Sequence, residues 1–341
     1  MTAQTAPRFD VPPPSEWAET DGLAPLLRSA IARSEWPRGC PPIRVESTPR
    51  RHMRIVAGDR VLLWAKGKHY YEGVWLLAAP SAARPALPVP PITVADVRAV
   101  RGAPGSTAWL TDWARYFADA LVASPSSILH DGMWELSTSD GRLRDRRATS
   151  ADAQGILDVH GAHLDAPTFE TWMLTGSLAI IPLRAPSAED ASRVKALRKL
   201  ARDGTLPPLL LWFVSGLDMF VILDGHDRLA AARLENVPIA RIAVSAIGEY
   251  RRWRPGPQDQ LAELSRAEAT MDRVVNKAGY MPSNVLDGVN ARLVMAFAEI
   301  SPTFARTRAY AMPGGAAAWE REVAARLAEI GAAPDHPILA G

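Results

Sequence analysis

Five consecutive residues, Asp224-Gly225-His226-Asp227-Arg228, combine two carboxylates, an imidazole and a guanidinium around one glycine. They follow the apolar run FVIL and precede the Ala-rich stretch LAAARLEN, a pattern that predicts a strand, a turn and a helix. The first N–H groups of such a helix have no partner within it, and the helix dipole adds partial positive charge there. The turn is therefore a candidate anion-binding site.

Two side chains of the turn suit phosphate, but the same residues can also serve a structural turn. Gly225 lets the backbone approach a bound group closely, and the guanidinium of Arg228 can hold phosphate through two parallel hydrogen bonds. A cation in the first turn opposes the helix dipole by about 0.3–1 kcal/mol, a cost that a bound anion would remove. In the structural alternative, Asp224 or Asp227 caps the helix. Arg228 then pairs with one of these acids and His226 only packs.

The elements on either side of the turn predict a compact α/β unit. A strand is expected over 176–185, a helix over 187–204 with Ser187 as its N-cap, and a hairpin over 209–223. After the turn, a helix to about Glu235 and a closing strand complete the unit. An alternation of strands and helices of this kind is typical of an α/β arrangement.

Composition limits the classes of protein to consider. The chain has 341 residues, of which 48% are hydrophobic and 22% charged, which is typical of a globular protein. A net charge of +2 gives no overall electrostatic reason to expect nucleic acid or an anionic membrane as a partner. Its wealth of Arg, Ala and Pro is typical of a GC-rich bacterial genome.

Cysteine content and hydropathy both point to the cytoplasm. Cys40 is the single cysteine, so an intrachain disulfide is impossible and a reducing compartment is expected. The Pro-rich start has no apolar core of a signal peptide, and the longest apolar run, 206–223, is interrupted by Ser215, Gly216 and Asp218. We therefore expect a cytoplasmic protein without a membrane span.

Patterning along the chain predicts four parts. The aromatic residues Trp109, Trp113 and Phe117 recur at helical spacing, which predicts a helix over 106–124 whose aromatic stripe belongs to a core. The four expected parts are a flexible arm (1–20), a β-rich N-terminal region that includes this helix (21–149), an α/β domain (150–249) and a helical C-terminal region (250–341).

The segment from about 177 to 247 resembles the ParB/sulfiredoxin superfamily. A helix ending in LARDG precedes the Pro-containing strand LPPLLLW, a second strand runs into an acid/Gly/His/Arg turn, and RLAAARLENVPIARIAV supplies an Ala-rich helix, a short turn and a closing strand. The form D-G-H-x-R is most similar to that of the ParB-like free serine kinases. The resemblance covers about 70 of the 341 residues. It implies a mixed α+β fold, in which a ParB/sulfiredoxin-like α/β domain is flanked by a β-rich region and a helical region.

The resemblance also implies a function for the turn. In that superfamily the Gly-to-Arg turn holds nucleotide phosphate, so Gly225, His226 and Arg228 are expected to bind a nucleotide such as ATP, ADP or CTP. Acids beside a phosphate repel it unless Mg²⁺ bridges them or they act as bases. Asp224 is therefore the expected Mg²⁺ ligand, and Asp224, His226 and Asp227 are the expected catalytic residues. The implied activity is phosphoryl transfer to a small hydroxyl substrate.

Departures from the superfamily keep other functions open. Sulfiredoxins carry a cysteine where this chain has Asp224, and IGEYRRWRPG lacks the Glu-Asn-x-x-Arg stretch of partition-type ParB proteins. The serine kinases also need an earlier acid, for which Glu170 and Asp165 are candidates by position. The alternatives are a non-enzymatic ParB-like module for protein or nucleic-acid interaction and, third, a nuclease.

Three further patterns carry weaker hypotheses. His160 and His163 could bind a metal, although a polar loop is the stronger prediction. The cluster around Trp253 could dock an anionic partner or simply lie on the surface. The stretch DRVVNKAGYMPSNVLDGVNARL faintly resembles a helix-turn-helix, but the scarcity of cations in its second half disfavours DNA binding. The sequence leaves the oligomeric state open.

Overall fold

The structure is a computed structural model. It describes residues 18–19, 26–32, 39–68, 72–80, 88–138, 166–171, 179–249, 257–280 and 303–340, together with isolated positions between 282 and 293. The strands are β1 (Ala18–Glu19), β2 (Leu27–Ile31), β3 (Ile43–Ser47), β4 (His52–Ala57), β5 (Arg60–Gly67), β6 (Gly73–Ala78), β7 (Gly132–Thr138), β8 (Thr168–Thr171), β9 (Ile180–Pro182), β10 (Leu209–Val214), β11 (Met219–Asp224), β12 (Arg241–Glu249), β13 (Thr303–Ala305) and β14 (Ala309–Ala311). The helices are α1 (Val94–Ala99), α2 (Thr107–Ala123), α3 (Ser192–Arg202), α4 (His226–Leu234), α5 (Pro257–Ala278) and α6 (Gly315–Glu329).

The fold is mixed α and β, as expected, but its division into units differs from the expected regions. One compact unit combines Met1–Ile247 with Ala305–Gly341, and the other is Gly248–Phe304. The expected helical region over 250–341 is thus shared between the two units, and the expected domain over 150–249 is not a separate unit. Strand pairing explains this, because β7 of the N-terminal region pairs antiparallel with β12 and β14 pairs in parallel with β3.

The first sheet contains the hairpin that the sequence predicts. Its strands follow the order β1-β2-β7-β12-β10-β11-β9, in which β10 and β11 are antiparallel while β10–β12 and β11–β9 are parallel. All six residues of β10 and all six of β11 are buried, because both faces of the sheet are covered. Leu209 and Leu211 share a cluster with Leu229 of α4, whereas Leu210 and Trp212 belong to a larger core on the other face.

The second sheet lies between that larger core and α6. Its order is β14-β3-β4-β5-β6-β8. Ile55 and Leu63 join the core shared with the first sheet, and Trp64 and Leu77 contact a cluster centred on Trp319 of α6. The large unit is therefore layered as helices α3 and α4, first sheet, second sheet and α6.

The predicted aromatic helix exists and belongs to the core. Ser106 caps α2 by accepting a hydrogen bond from the backbone N–H of Trp109. Trp113, Phe117 and Leu121 are fully buried in the shared core, so the interpretation of this stripe as core rather than as a stacking surface is confirmed.

A buried carboxylate and a half-buried one tie α6 to the second sheet. Glu46 is 2% exposed and accepts hydrogen bonds from Arg44 and Arg54. Glu322 of α6 accepts from Arg54 and from the indole N–H of Trp64 at 2.8 Å. Because each carboxylate is paired with at least one guanidinium, the cost of burying its charge is offset.

Within the described residues, none of the helices is long and apolar enough to cross a membrane.

Candidate functional site

The five candidate residues form the predicted turn between a strand and a helix. Strand β11 ends at Asp224, Gly225 has φ 109° and ψ 15°, and α4 begins at His226. A Cβ at Gly225 would lie 2.6 Å from Cδ2 of Leu209 and 2.9 Å from Nη2 of Arg228. Glycine is therefore required here both by the backbone conformation and by the close approach of two side chains.

Arg228 is buried and bound to protein atoms. Its side chain is among the largest that are fully buried, and Asp224 is 5% exposed. Nη2 of Arg228 donates to Oδ2 of Asp224 at 2.7 Å and to the carbonyl oxygen of Pro208 at 2.9 Å. The structure thus has the ion pair that the structural alternative anticipated. With these two bonds in place, Arg228 braces the turn against the start of β10.

His226 is a buried neutral imidazole. The backbone N–H of Leu183 donates to its Nε2 at 3.2 Å, so the ring proton lies on Nδ1. Burial and the neighbouring charge of Arg184 lower the pKa of His226 to about 3, although Asp227 partly opposes them. A ring with this pKa stays uncharged at neutral pH, so it does not supply a positive charge to a phosphate in this arrangement.

Asp227 binds the loop that follows β9 instead of capping its own helix. Its Oδ1 accepts the backbone N–H of Ser187 at 2.7 Å, and its oxygens lie 3.4 Å from Nη1 of Arg184 and 3.3 Å from Nε of Arg193. Burial by itself raises the pKa of Asp227, but the Ser187 hydrogen bond and the charge of Arg184 outweigh it and lower that pKa. The carboxylate is therefore ionised and holds the loop over the first turn of α4.

The expected role of Ser187 as a helix cap is wrong. Helix α3 begins at Ser192, and its N-cap residue Ala191 makes no side-chain hydrogen bond. The backbone N–H of Ser187 is used by Asp227 instead. The sequence could not show this, because a Ser before a helical pattern resembles a cap whether or not its own N–H has a distant acceptor.

Two arginines that sequence reasoning missed carry the surplus charge of the site. Three guanidinium groups, of Arg184, Arg193 and Arg228, face two carboxylates, and with His226 neutral the cluster has a formal charge of +1. The N-terminus of α4 adds partial positive charge. The side chain of Arg193 is 43% exposed, whereas that of Arg184 is 10% exposed, so Arg193 is the cation that a ligand in solvent can reach.

The carboxylates of the turn do not fit the expected Mg²⁺ ion. Asp224 is paired with Arg228, and Asp227 faces two guanidinium groups, so a cation placed between them would meet positive charge on each side. Mg²⁺ prefers oxygen ligands in octahedral geometry without competing cations. In the described part of the chain, no three His, Cys, Asp or Glu side chains come together as a metal site.

Glu170, a further candidate among the described residues, does not lie at the turn. Glu170 lies on β8 opposite Val74, in the second sheet, whereas the turn extends from β11 of the first. Asp165, His160, His163 and Trp253 lie outside the described residues. Most of the stretch considered as a helix-turn-helix after residue 280 does so as well.

No model of a protein family matches the chain, and no curated protein or solved structure is significantly similar to it. The resemblance to the ParB/sulfiredoxin superfamily therefore depends on the turn motif and on the order of the elements around it.

Proposed function

We propose that this chain binds the phosphate group of a nucleotide at the first turn of α4. The observation that carries the proposal is the surplus of guanidinium over carboxylate charge around this turn. Arg228 already has Asp224 as its counter-ion, so the surplus comes from Arg184 and Arg193, which share the single carboxylate of Asp227 beside the positive end of the α4 dipole. The ParB-like form of the motif supports a nucleotide as the source of that anion.

The roles of the residues differ from those expected from sequence. Arg228 acts through the turn, since its hydrogen bonds to Asp224 and Pro208 fix the position of the backbone. Arg193 contacts the phosphate directly. Its Nε lies 3.3 Å from Oδ2 of Asp227, which is beyond the usual 2.7–2.9 Å of a charged hydrogen bond, so little is lost when it turns to a phosphate oxygen.

Phosphoryl transfer to a small hydroxyl substrate stays a prediction of the resemblance. Such a reaction needs a carboxylate that can accept the hydroxyl proton. Asp227, held by Ser187 and flanked by two arginines, has a lowered pKa and is a weak base. We therefore propose nucleotide binding alone.

Calorimetric titration of the full chain with ATP, ADP and CTP, each with and without Mg²⁺, tests the proposal. Arg193→Gln should weaken binding by about 1.5–3 kcal/mol, the usual worth of a charged hydrogen bond, which is about 10- to 150-fold in the dissociation constant. Arg202→Gln is the matched control, because Arg202 is an exposed arginine of the same helix that pairs with Glu235. Equal affinities of wild type and Arg193→Gln, or no binding of any nucleotide, would refute the assignment.

The internal partners that the turn has for two of its side chains favour a second candidate, a non-enzymatic interaction module. Asp224 pairs with Nη2 of Arg228 and the N–H of Leu183 donates to Nε2 of His226, although Nδ1 of His226 and Nε of Arg228 are buried without a hydrogen-bond partner. A turn of this kind needs no ligand for its stability. A flat response to every nucleotide, in a protein that is folded, would favour this candidate.

A further inference from the structure

A row of side chains crosses four strands at one end of the second sheet. His52 of β4 is opposite Lys66 of β5, Lys66 is opposite Trp75 of β6, and Trp75 is opposite Phe169 of β8. Residues paired in this way lie on the same face of a sheet. This is the face that α6 covers, since His52 stacks on Trp319 with ring centroids 4.2 Å apart.

A cavity of about 540 Å³ lies beside this row. Its volume falls within the ~300–1,000 Å³ typical of sites for small molecules. Four cations and two aromatic rings are among the residues that line it: Arg50, Arg51, Lys66, Lys68, Trp75 and Phe169.

Positive charge in the cavity exceeds the negative charge beside it. None of the described residues that line the cavity is acidic. Two carboxylates stand near its cations: Glu72 pairs with Lys68 at 2.6 Å, and Glu320 lies 3.9 Å from Arg50 in a pair that is largely exposed. Exposed pairs of this type contribute little and are easily exchanged for another anion. The surplus favours an anionic ligand.

Lys66 contributes a positive charge to the lining of the cavity. It stands between His52 and Trp75 in the row, and its ammonium group donates to the carbonyl oxygen of Ala340, a neutral acceptor. Burial lowers the pKa of Lys66, and the charge of Glu320 only partly opposes this. An anion in the cavity would compensate this desolvation.

The aromatic side of the cavity selects among anions. The rings of Trp75 and Phe169 are 5.0 Å apart and tilted by 51°, and they form an apolar wall next to the cations. Inorganic phosphate would contact the cations but not the two aromatic rings, and the same holds for a carboxylate side chain of an acidic peptide. A flat ring joined to a phosphate uses both parts, because rings stack on aromatic side chains while lysine and arginine hold the phosphate.

We infer that this cavity is a second binding site, separate from the turn before α4, for a nucleoside phosphate. The phosphate lies against Lys66, Arg50 and Arg51, and the base lies against the wall of Trp75 and Phe169. A free mononucleotide and the phosphorylated end of a single strand share this chemistry.

Binding of AMP to the full chain, measured by calorimetry, tests the inference. Lys66→Gln should weaken AMP binding by about tenfold or more, as expected for a lost charged hydrogen bond. Because Lys66 also binds Ala340, Arg50→Gln serves as a second variant: Arg50 lines the cavity and its side chain is 76% exposed, so its replacement should weaken AMP binding and leave the free energy of unfolding nearly unchanged. Arg193→Gln, on α3 beside the first turn of α4, should leave AMP binding at this cavity unchanged.

Titrations with further ligands identify which part of the nucleotide is recognised. AMP should bind more tightly than inorganic phosphate and more tightly than adenosine, since each lacks one half of the recognised group. A 5′-phosphorylated octathymidylate that binds much more tightly than AMP assigns the site to a strand end, and equal or weaker binding assigns it to a free mononucleotide.

Several outcomes would overturn the inference. Inorganic phosphate or an octaglutamate peptide that binds as tightly as AMP would do so, as would AMP affinity that is unchanged in both Lys66→Gln and Arg50→Gln. AMP binding that Arg193→Gln abolishes while Lys66→Gln leaves it intact would refute this site and support the proposal for the turn. If the turn before α4 binds no nucleotide but AMP still binds in a way that depends on Lys66, the inference for this cavity is supported.

Discussion

Replacing Asp224 by Asn separates a buried ion pair from a simple hydrogen-bond acceptor. Asn keeps the size of the side chain and an oxygen that can accept from Nη2 of Arg228, but it removes the negative charge. If Asp224 served only as an acceptor, the free energy of unfolding would hardly change. In the structure, however, Asp224 is 5% exposed and Arg228 is 2% exposed, so Asn leaves a guanidinium charge buried without its counter-ion.

The expected loss follows from that burial. Breaking a buried ion pair by removing one partner costs about 3–5 kcal/mol. For a chain of this size, 1 kcal/mol corresponds to about 2–4 °C in the melting temperature, so Asp224→Asn should lower it by about 6–20 °C. Urea unfolding followed by circular dichroism measures the same difference as a change in the free energy of unfolding.

Two variants control the experiment. Asp190→Asn removes a carboxylate that is exposed on the surface and should leave stability nearly unchanged. The double variant Asp224→Asn/Arg228→Met removes both charges and should regain much of the loss, because replacing a buried pair by an apolar side chain is often neutral. A loss below about 1 kcal/mol for Asp224→Asn, the range of an exposed pair, would refute the assignment of a buried ion pair.

Two further predictions concern neighbouring residues of the turn. Gly225→Ala should lower the free energy of unfolding by about 1–3 kcal/mol or more, because φ of 109° is strained for alanine and the added Cβ would clash with Leu209. Gly204→Ala is the control, since Gly204 has φ 68° and no atom lies within 4 Å of the added Cβ, so this variant has the backbone strain without the clash. Equal losses for the two variants in chemical denaturation would contradict the clash. The pKa of His226 is about 3 in the folded state and 6.5 in the unfolded state, so between these values the unfolded state binds a proton that the folded state does not. The free energy of unfolding therefore falls as the pH falls below 6.5, by about 2 kcal/mol at pH 5 relative to pH 8. His226→Gln, whose amide oxygen can still accept from Leu183, should reduce this pH dependence, and an unchanged profile of the free energy of unfolding against pH would contradict the buried neutral ring.

The sequence by itself determined the local elements around the turn. The hairpin of β10 and β11 is visible because each strand is a continuous apolar run of strand length, and α4 is visible because an Ala-rich stretch follows the turn. Gly225 marks the turn because few other residues adopt a positive φ. Each of these features depends on residues that are close along the chain.

Tertiary structure decided which of these residues meet which partners. Arg184 lies 43 residues before Asp227, and its pairing with that carboxylate depends on how the loop after β9 passes over α4. The order of strands likewise places β7 beside β12 and returns β14 to β3. The surplus charge at the turn and the row from His52 to Phe169 both depend on how segments distant in the sequence are aligned beside one another. A single sequence does not specify this alignment, because the strand period of two indicates which face of a sheet a side chain occupies and not which strand lies beside it.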